Sequence, residues 1–118
     1  MARARKIIVV FVTCPTPVVA RRLAQRLIER RLAACVNAVP AVESTFRWQG
    51  KIEYCRETLL IIKTSAARFE RLRRAIKDLH PYDVPEIIAL PVVAGYAPYL
   101  RWVMASSQAI DRGGERSA

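Results

Sequence analysis

Glycine is scarce in this chain, with four residues in 118, which leaves no Gly-rich phosphate loop of the kind that cradles nucleotides. Histidine is scarcer still, a single His80. With no G-x-S-x-G string and no second histidine, a Ser-His-Asp hydrolase has neither its elbow nor its base. Cysteine occurs three times, at Cys14, Cys35 and Cys55, without a CxxC pair. An odd number closes no disulfide framework and points to a reducing compartment, the cytoplasm. Acidic residues number 10 against 20 basic ones. No apolar run approaches the ~18 residues that a membrane span requires. The run Ile7–Cys14 follows a basic start as a secretion signal would, but it is short, and Thr13 rather than Gly or Ala precedes Cys14. It reads as a buried strand, not a leader.

What is present is a globular composition, 53% hydrophobic and 25% charged, in a length that suits one core. Residues 1–110 are expected to form a single domain and 111–118 a polar tail. The net charge of +10 raises nucleic acid as a partner. However, Arg21, Arg22, Arg26, Arg30 and Arg31 fall in one helical stretch, and Arg68, Arg71, Arg73, Arg74 and Lys77 in another. Both sets interleave with apolar residues at helical spacing, so they read as solvated outer faces and nucleic acid is not the expected partner.

Along the chain, Lys6 to Cys14 is β-branched and continuously apolar, a central strand. Thr16 caps a helix that opens on Pro17 and runs to about Arg31. Leu32 to Trp48 reads as a long strand bent at Pro40, with Val42, Ser44, Phe46 and Trp48 on one side. Gln49-Gly50 turns the chain back into Lys51 to Thr64. Ser65 is placed to cap a second helix, which His80-Pro81 ends. Val84 to Val93 gives a last strand, with its prolines at an edge or a strand end. A third helix follows from about Ala97 to Ile110. This order is a split βαβ, an α+β ferredoxin-like βαββαβ sandwich with a C-terminal helix. The third strand, Thr58-Leu-Leu-Ile-Ile-Lys63, is aliphatic, whereas the RNA-binding version of this fold carries stacking aromatics there. The two central arms, about 14 residues each, exceed the usual ~5–6. Their distal apolar residues therefore need a second subunit to cover them.

Few residues carry chemistry. His80 is either a metal ligand or a cap on the last helical carbonyls. Cys35, within a strand, reads as a small buried hydrophobe. Cys14, ahead of a helix N-terminus, is placed for a depressed pKa. Glu57 and Lys63, six residues apart on one strand, project from one face. They either line an intersubunit pocket or form an interface salt bridge. No enzyme mechanism can be assembled from this set, and none requires an organic cofactor.

Several strings, taken in order, resemble the CutA divalent-cation tolerance family over about Ile7 to Ser106. They are Val12-Thr-Cys-Pro15, Leu32-Ala-Ala-Cys-Val-Asn37, Trp48-Gln-Gly-Lys51, Glu57-Thr58, Ile62-Lys63-Thr64, His80-Pro-Tyr82, Val84-Pro-Glu86 and Tyr99-Leu-Arg-Trp102. The resemblance implies a ferredoxin-like protomer in a tight homotrimer, and a role in tolerance of divalent metals, copper above all. It implies that Cys35, Trp48, Glu57, Lys63, Tyr82 and His80 cluster in an intersubunit cleft, with His80 as metal ligand. Val12 and Leu79 stand where some members carry Cys and His ligands. Trimers of ferredoxin-like subunits also include the nitrogen-regulatory PII proteins, so a small-molecule signalling module and a structural scaffold are the alternative functions.

Overall fold

A computed structural model describes residues 6–109. Ile110 and the expected tail at 111–118, like the arm before Lys6, lie outside the described residues. The elements are β1 (Ile7–Cys14), α1 (Pro17–Glu29), β2 (Cys35–Trp48), β3 (Lys51–Ser65), α2 (Phe69–Leu79), β4 (Ile87–Pro91) and α3 (Ala97–Ser106). The four strands form one antiparallel sheet in the order β2-β3-β1-β4, which is the ferredoxin-like topology expected.

One face of the sheet is closed by α1 and α2. Ile8, Val10, Val12 and Cys14 of β1, with Leu60 and Ile62 of β3, pack there against Ala20, Leu23, Leu27, Leu72 and Ile76. The period of two along β1 is legible in these alternate residues. Among the described residues the apolar cover of the other face lies near the start of β1, where Ile7 packs against Leu100 and Val103 of α3. Beyond that patch Ile88 and Leu90 of β4 and Val39 of β2 remain exposed.

Local chemistry sets the boundaries. The Thr16 hydroxyl accepts from the Val19 N–H at 3.2 Å and Pro17 occupies the first turn of α1. α1 stops at Glu29, and Arg31 takes a left-handed φ of 56°. Ser65 does not cap a helix. β3 runs through it, a 3-10 turn at Ala66–Arg68 intervenes, and neither Ser65 nor Arg68 makes a side-chain cap bond. β4 is shorter than expected, because Tyr82 is tied to His80 and Glu57 and Pro85 has no N–H for a ladder. Pro91 does close an edge strand, as expected.

The β2–β3 hairpin is 14 and 15 residues long and turns on Gln49 and Gly50, both at positive φ (50° and 79°), as a two-residue turn matched to strand twist requires. It stretches the protein to 52 Å. The radius of gyration is 15.5 Å, against about 13 Å for a compact globule of this length. The bend expected at Pro40 is a β-bulge: Val39 pairs with Leu59 and Val42 with Glu57, so Pro40 and Ala41 together face Thr58. Ala41 sits at φ 60°, a conformation that costs a residue with a Cβ about 1–2 kcal/mol. Ala41→Gly should therefore raise the urea midpoint, by about 1 kcal/mol in stability, whereas Ala41→Val should lower it.

Candidate functional site

Where the buried part of β3 gives way to the exposed hairpin, one carboxylate lies inside the fold. Glu57 is 6% exposed, and a buried carboxylate needs a donor. Tyr82 supplies it, its hydroxyl donating to Glu57 Oε2 at 2.9 Å. Tyr82 is held in turn by His80. The Tyr82 N–H donates to His80 Nδ1 at 3.1 Å, which leaves the proton on Nε2, 2.8 Å from the Thr13 carbonyl it donates to. The two rings meet with centroids 4.8 Å apart. His80 is thus the C-cap residue of α2 by its backbone, its N–H bonding Ile76 O at 2.8 Å. Its imidazole, however, is turned away from the helix end and ties α2 to β1.

Thr13, Glu57 and Tyr82 of this network, with His80 behind them, form one wall of a cleft of about 870 Å³. Phe46 and Trp48 of the hairpin line it, together with Glu53, Glu57, Asp83 and Glu86. In a chain of net charge +10, the described lining holds four carboxylates and neither Lys nor Arg. Burial, then the Glu57 hydrogen bond and charge, push the Tyr82 phenol well above its ordinary range. Cys14 is fully buried, and its thiol is raised from 9.0 to about 11 by burial first and by Glu57 second. The depressed pKa expected of Cys14 is therefore reversed. It lies beneath α1 in the apolar core, where desolvation outweighs any helix-terminus effect.

The six expected site residues divide into two groups. Glu57, Tyr82 and His80 are bonded together and Trp48 lines the same cleft. Cys35 and Lys63 lie directly opposite each other in the β2–β3 ladder. Six residues of strand, about 20 Å, separate them from Glu57. There the Lys63 ammonium donates to Asn37 Oδ1, the Cys35 thiol lies 3.7 Å from the same oxygen, and Tyr99 of α3 is near enough for Cys35 to raise its pKa, after burial. Glu57 and Lys63 share a face, but they do not pair within one chain. Sequence reasoning missed Thr13, Asn37 and Tyr99 as partners and Glu53, Asp83 and Glu86 as lining. For Asp83 and Glu86 a signal existed, two acids bracketing Val84-Pro85 directly after His80-Pro81-Tyr82.

Fold and cleft together define a ferredoxin-like domain with an acidic, aromatic-walled groove at the base of an overlong hairpin. The family model for the CutA1 divalent ion tolerance proteins matches residues 8–106, and the chain belongs to that family. It is 50% identical over 95 residues to the divalent-cation tolerance protein CutA of Thermus thermophilus, covering 80% of this chain and 92% of that one. It is 44% identical over 104 residues to mouse protein CutA, but there it spans only 59% of the relative, against 88% of itself. Among solved structures, CutA1 from Oryza sativa superposes with a TM-score of 0.86 at 44% identity, covering 90% of this chain and 97% of that one. No helix among the described residues is long and apolar enough to cross a membrane.

The raised groups make stability fall with alkali. The folded state keeps the Cys14 proton that the unfolded chain releases above pH 9, so stability should drop as pH rises from 9 to 11, by about 2–3 kcal/mol for this thiol. Urea denaturation at pH 8 and pH 11 measures the loss, and Cys14→Ala should remove that part of it. Tyr82→Phe, which leaves Glu57 buried without its donor, should cost about 1–3 kcal/mol at pH 7.

Proposed function

We propose that this member of the divalent-cation tolerance family acts as a non-enzymatic homotrimer that binds a divalent cation, copper(II) above all, at the acidic cleft. The observation that carries the reading is the cleft lining: Glu53, Glu57, Asp83 and Glu86 gather there without a basic residue while the rest of the chain is strongly basic. Carboxylate oxygens are ligands for divalent ions, and copper(II) takes the highest affinity at a given nitrogen and oxygen site. Among the described residues no three His, Cys, Asp or Glu side chains converge well enough to hold an ion within one chain, so the ligand set is completed between copies. The exposed hairpin residues Phe46, Trp48, Ile52 and Tyr54 and the open sheet face around Ile88 and Leu90 supply the apolar surface that such an assembly would bury. His80 joins the metal in this reading only by giving up the Tyr82 N–H. Cys35 and Lys63 belong to a second intersubunit contact, with no organic cofactor. Residues 1–110 act as one domain with 111–118 as a tail. Three free cysteines agree with the cytoplasm as its compartment.

A second reading draws on the aromatic walls. Phe46 and Trp48 beside polar groups suit a small organic cation, as in a ligand-responsive trimer. Copper(II) titration followed by native mass spectrometry and Trp48 fluorescence separates the readings. The first expects a mass of three times 13.3 kDa and metal taken up in whole-number steps. It also expects affinity about tenfold weaker in Glu57→Gln or Asp83→Asn, with His80→Ala reporting whether the imidazole takes part. A trimer indifferent to metals but stabilised by a metabolite would move the function to the second reading. A trimer indifferent to both would leave a scaffold.

A further inference from the structure

The charge of the chain is gathered on one layer. α1 and α2 pack by their apolar faces on the same side of the sheet and touch each other, so their outward faces form one surface. Residues 17–31 and 66–79 hold ten arginines and lysines against three acids, and this excess of +7 is most of the chain's +10. Arg31 and Arg68 are half-buried, and Arg31 donates to Gln108 O and Ala105 O at the end of α3. Arg21, Arg22 and Arg26 of α1 and Arg71, Arg74 and Lys77 of α2 are exposed. None of these six makes an ion pair among the described residues. Two of the three acids are already engaged, Glu70 by Arg73 at 2.9 Å and Glu29 by the Gln25 amide at 3.0 Å.

α1 adds a second feature. Val18 is 55% exposed and Ile28 42%, although the apolar stripe of the helix is spent on the core. Val18, Arg21, Gln25 and Ile28 recur at intervals of three, four and three, so they share the outward side of α1. Arginine beside an exposed aliphatic residue is the pairing that suits the headgroup boundary of a membrane. The guanidinium forks meet lipid phosphates and the aliphatic side chains enter just below them. Nucleic acid is also anionic, but a duplex is read by an element that enters a groove, and both helices here lie along the sheet. A single strand needs stacking aromatics. The exposed aromatics of the described residues are on the hairpin and in or next to α3, across the sheet from this surface.

We propose that the outward face of α1 and α2 is a peripheral docking surface for a membrane rich in anionic phospholipid. Attachment is mainly electrostatic, since six cations face outward and only two aliphatic side chains accompany them, and it weakens as salt screens the charges. The exposed apolar surface available to other copies of the chain lies on the hairpin and the open sheet face. Assembly through those surfaces leaves the helix layer outward and free to meet a bilayer.

Co-sedimentation of the full chain with vesicles tests this, using phosphatidylcholine alone and phosphatidylcholine mixed equally with phosphatidylserine. The expected result is binding to the mixed vesicles about tenfold or more tighter than to the neutral ones, falling as salt is raised. Arg22→Gln/Arg26→Gln should weaken it about tenfold or more, at about fivefold for each charge removed near the surface. Arg22→Lys/Arg26→Lys, which keeps the charge, should retain most of the binding. Arg47→Gln/Arg101→Gln, an equal loss of charge on the hairpin and α3, should leave it nearly unchanged. Ile28→Ser should weaken vesicle binding several-fold without changing retention on duplex DNA. Equal binding to neutral and anionic vesicles, or equal weakening by the two glutamine pairs, would overturn the proposal. Tighter binding to duplex DNA than to the mixed vesicles, with Ile28→Ser without effect on either, would overturn it in favour of nucleic acid.

Discussion

The β2–β3 hairpin is longer than the helices that could cover it, and most of the molecule follows from that mismatch. A 15-residue strand extends about 50 Å at 3.3 Å per residue. The 13 and 11 residues of α1 and α2 reach about 20 Å and 16 Å at 1.5 Å per residue. β3 therefore has a covered half, with Leu60, Ile62 and Thr64 buried, and an uncovered half, with Ile52 and Tyr54 in water. The covered half builds the core of the domain. The uncovered half is apolar beyond what a solitary hairpin sustains.

Glu57 marks the transition between the halves, and the cleft forms there for the same reason. A carboxylate at that border is already withdrawn from water, so the fold must bring it a donor. It does so through a relay anchored in the sheet: the Thr13 carbonyl fixes His80, His80 fixes the Tyr82 backbone, and the Tyr82 hydroxyl reaches Glu57. The same relay carries Asp83 and Glu86 to the mouth of the cleft and delays the start of β4. Within the chain His80 is thus a positioning residue, with both ring nitrogens occupied.

Periodicity made the sheet legible. The continuous apolar run of β1, the alternation in distal β2 and the Gln49-Gly50 turn are each decided within a few residues, and each was found where expected. Strand and helix ends were harder, because they depend on bonds made at a distance. Ser65 looks like a cap until β3 is extended through it by pairing with Ile7. Val84 looks like strand until Tyr82 is tied to Glu57. The structure brings Glu57, Tyr82, His80 and Trp48 together and leaves Cys35 and Lys63 apart, a division that sequence spacing does not show. Identical parity put Glu57 and Lys63 on one face correctly, yet parity says nothing about their separation along it. For Cys14, the helix terminus was visible in sequence and the desolvation was not, since burial is a property of the packed sheet.

Composition alone misreads the electrostatics, because the charge is segregated. A net charge of +10 suggests a surface that repels cations everywhere, yet charges separated by more than the ~8 Å screening length at physiological salt hardly feel one another. What a ligand meets is the local set. At the base of the hairpin that set is Glu53, Glu57, Asp83 and Glu86. Where α1 leaves, α2 begins and α3 ends, it is Arg31, Arg68 and Arg71. β3 joins the two regions, running from Glu57 beside the acids to Thr64, which is bonded to Leu32 next to Arg31, so one strand links regions of opposite charge some 20 Å apart. The field a ligand meets at either end of that strand does not follow from the sum of the charges.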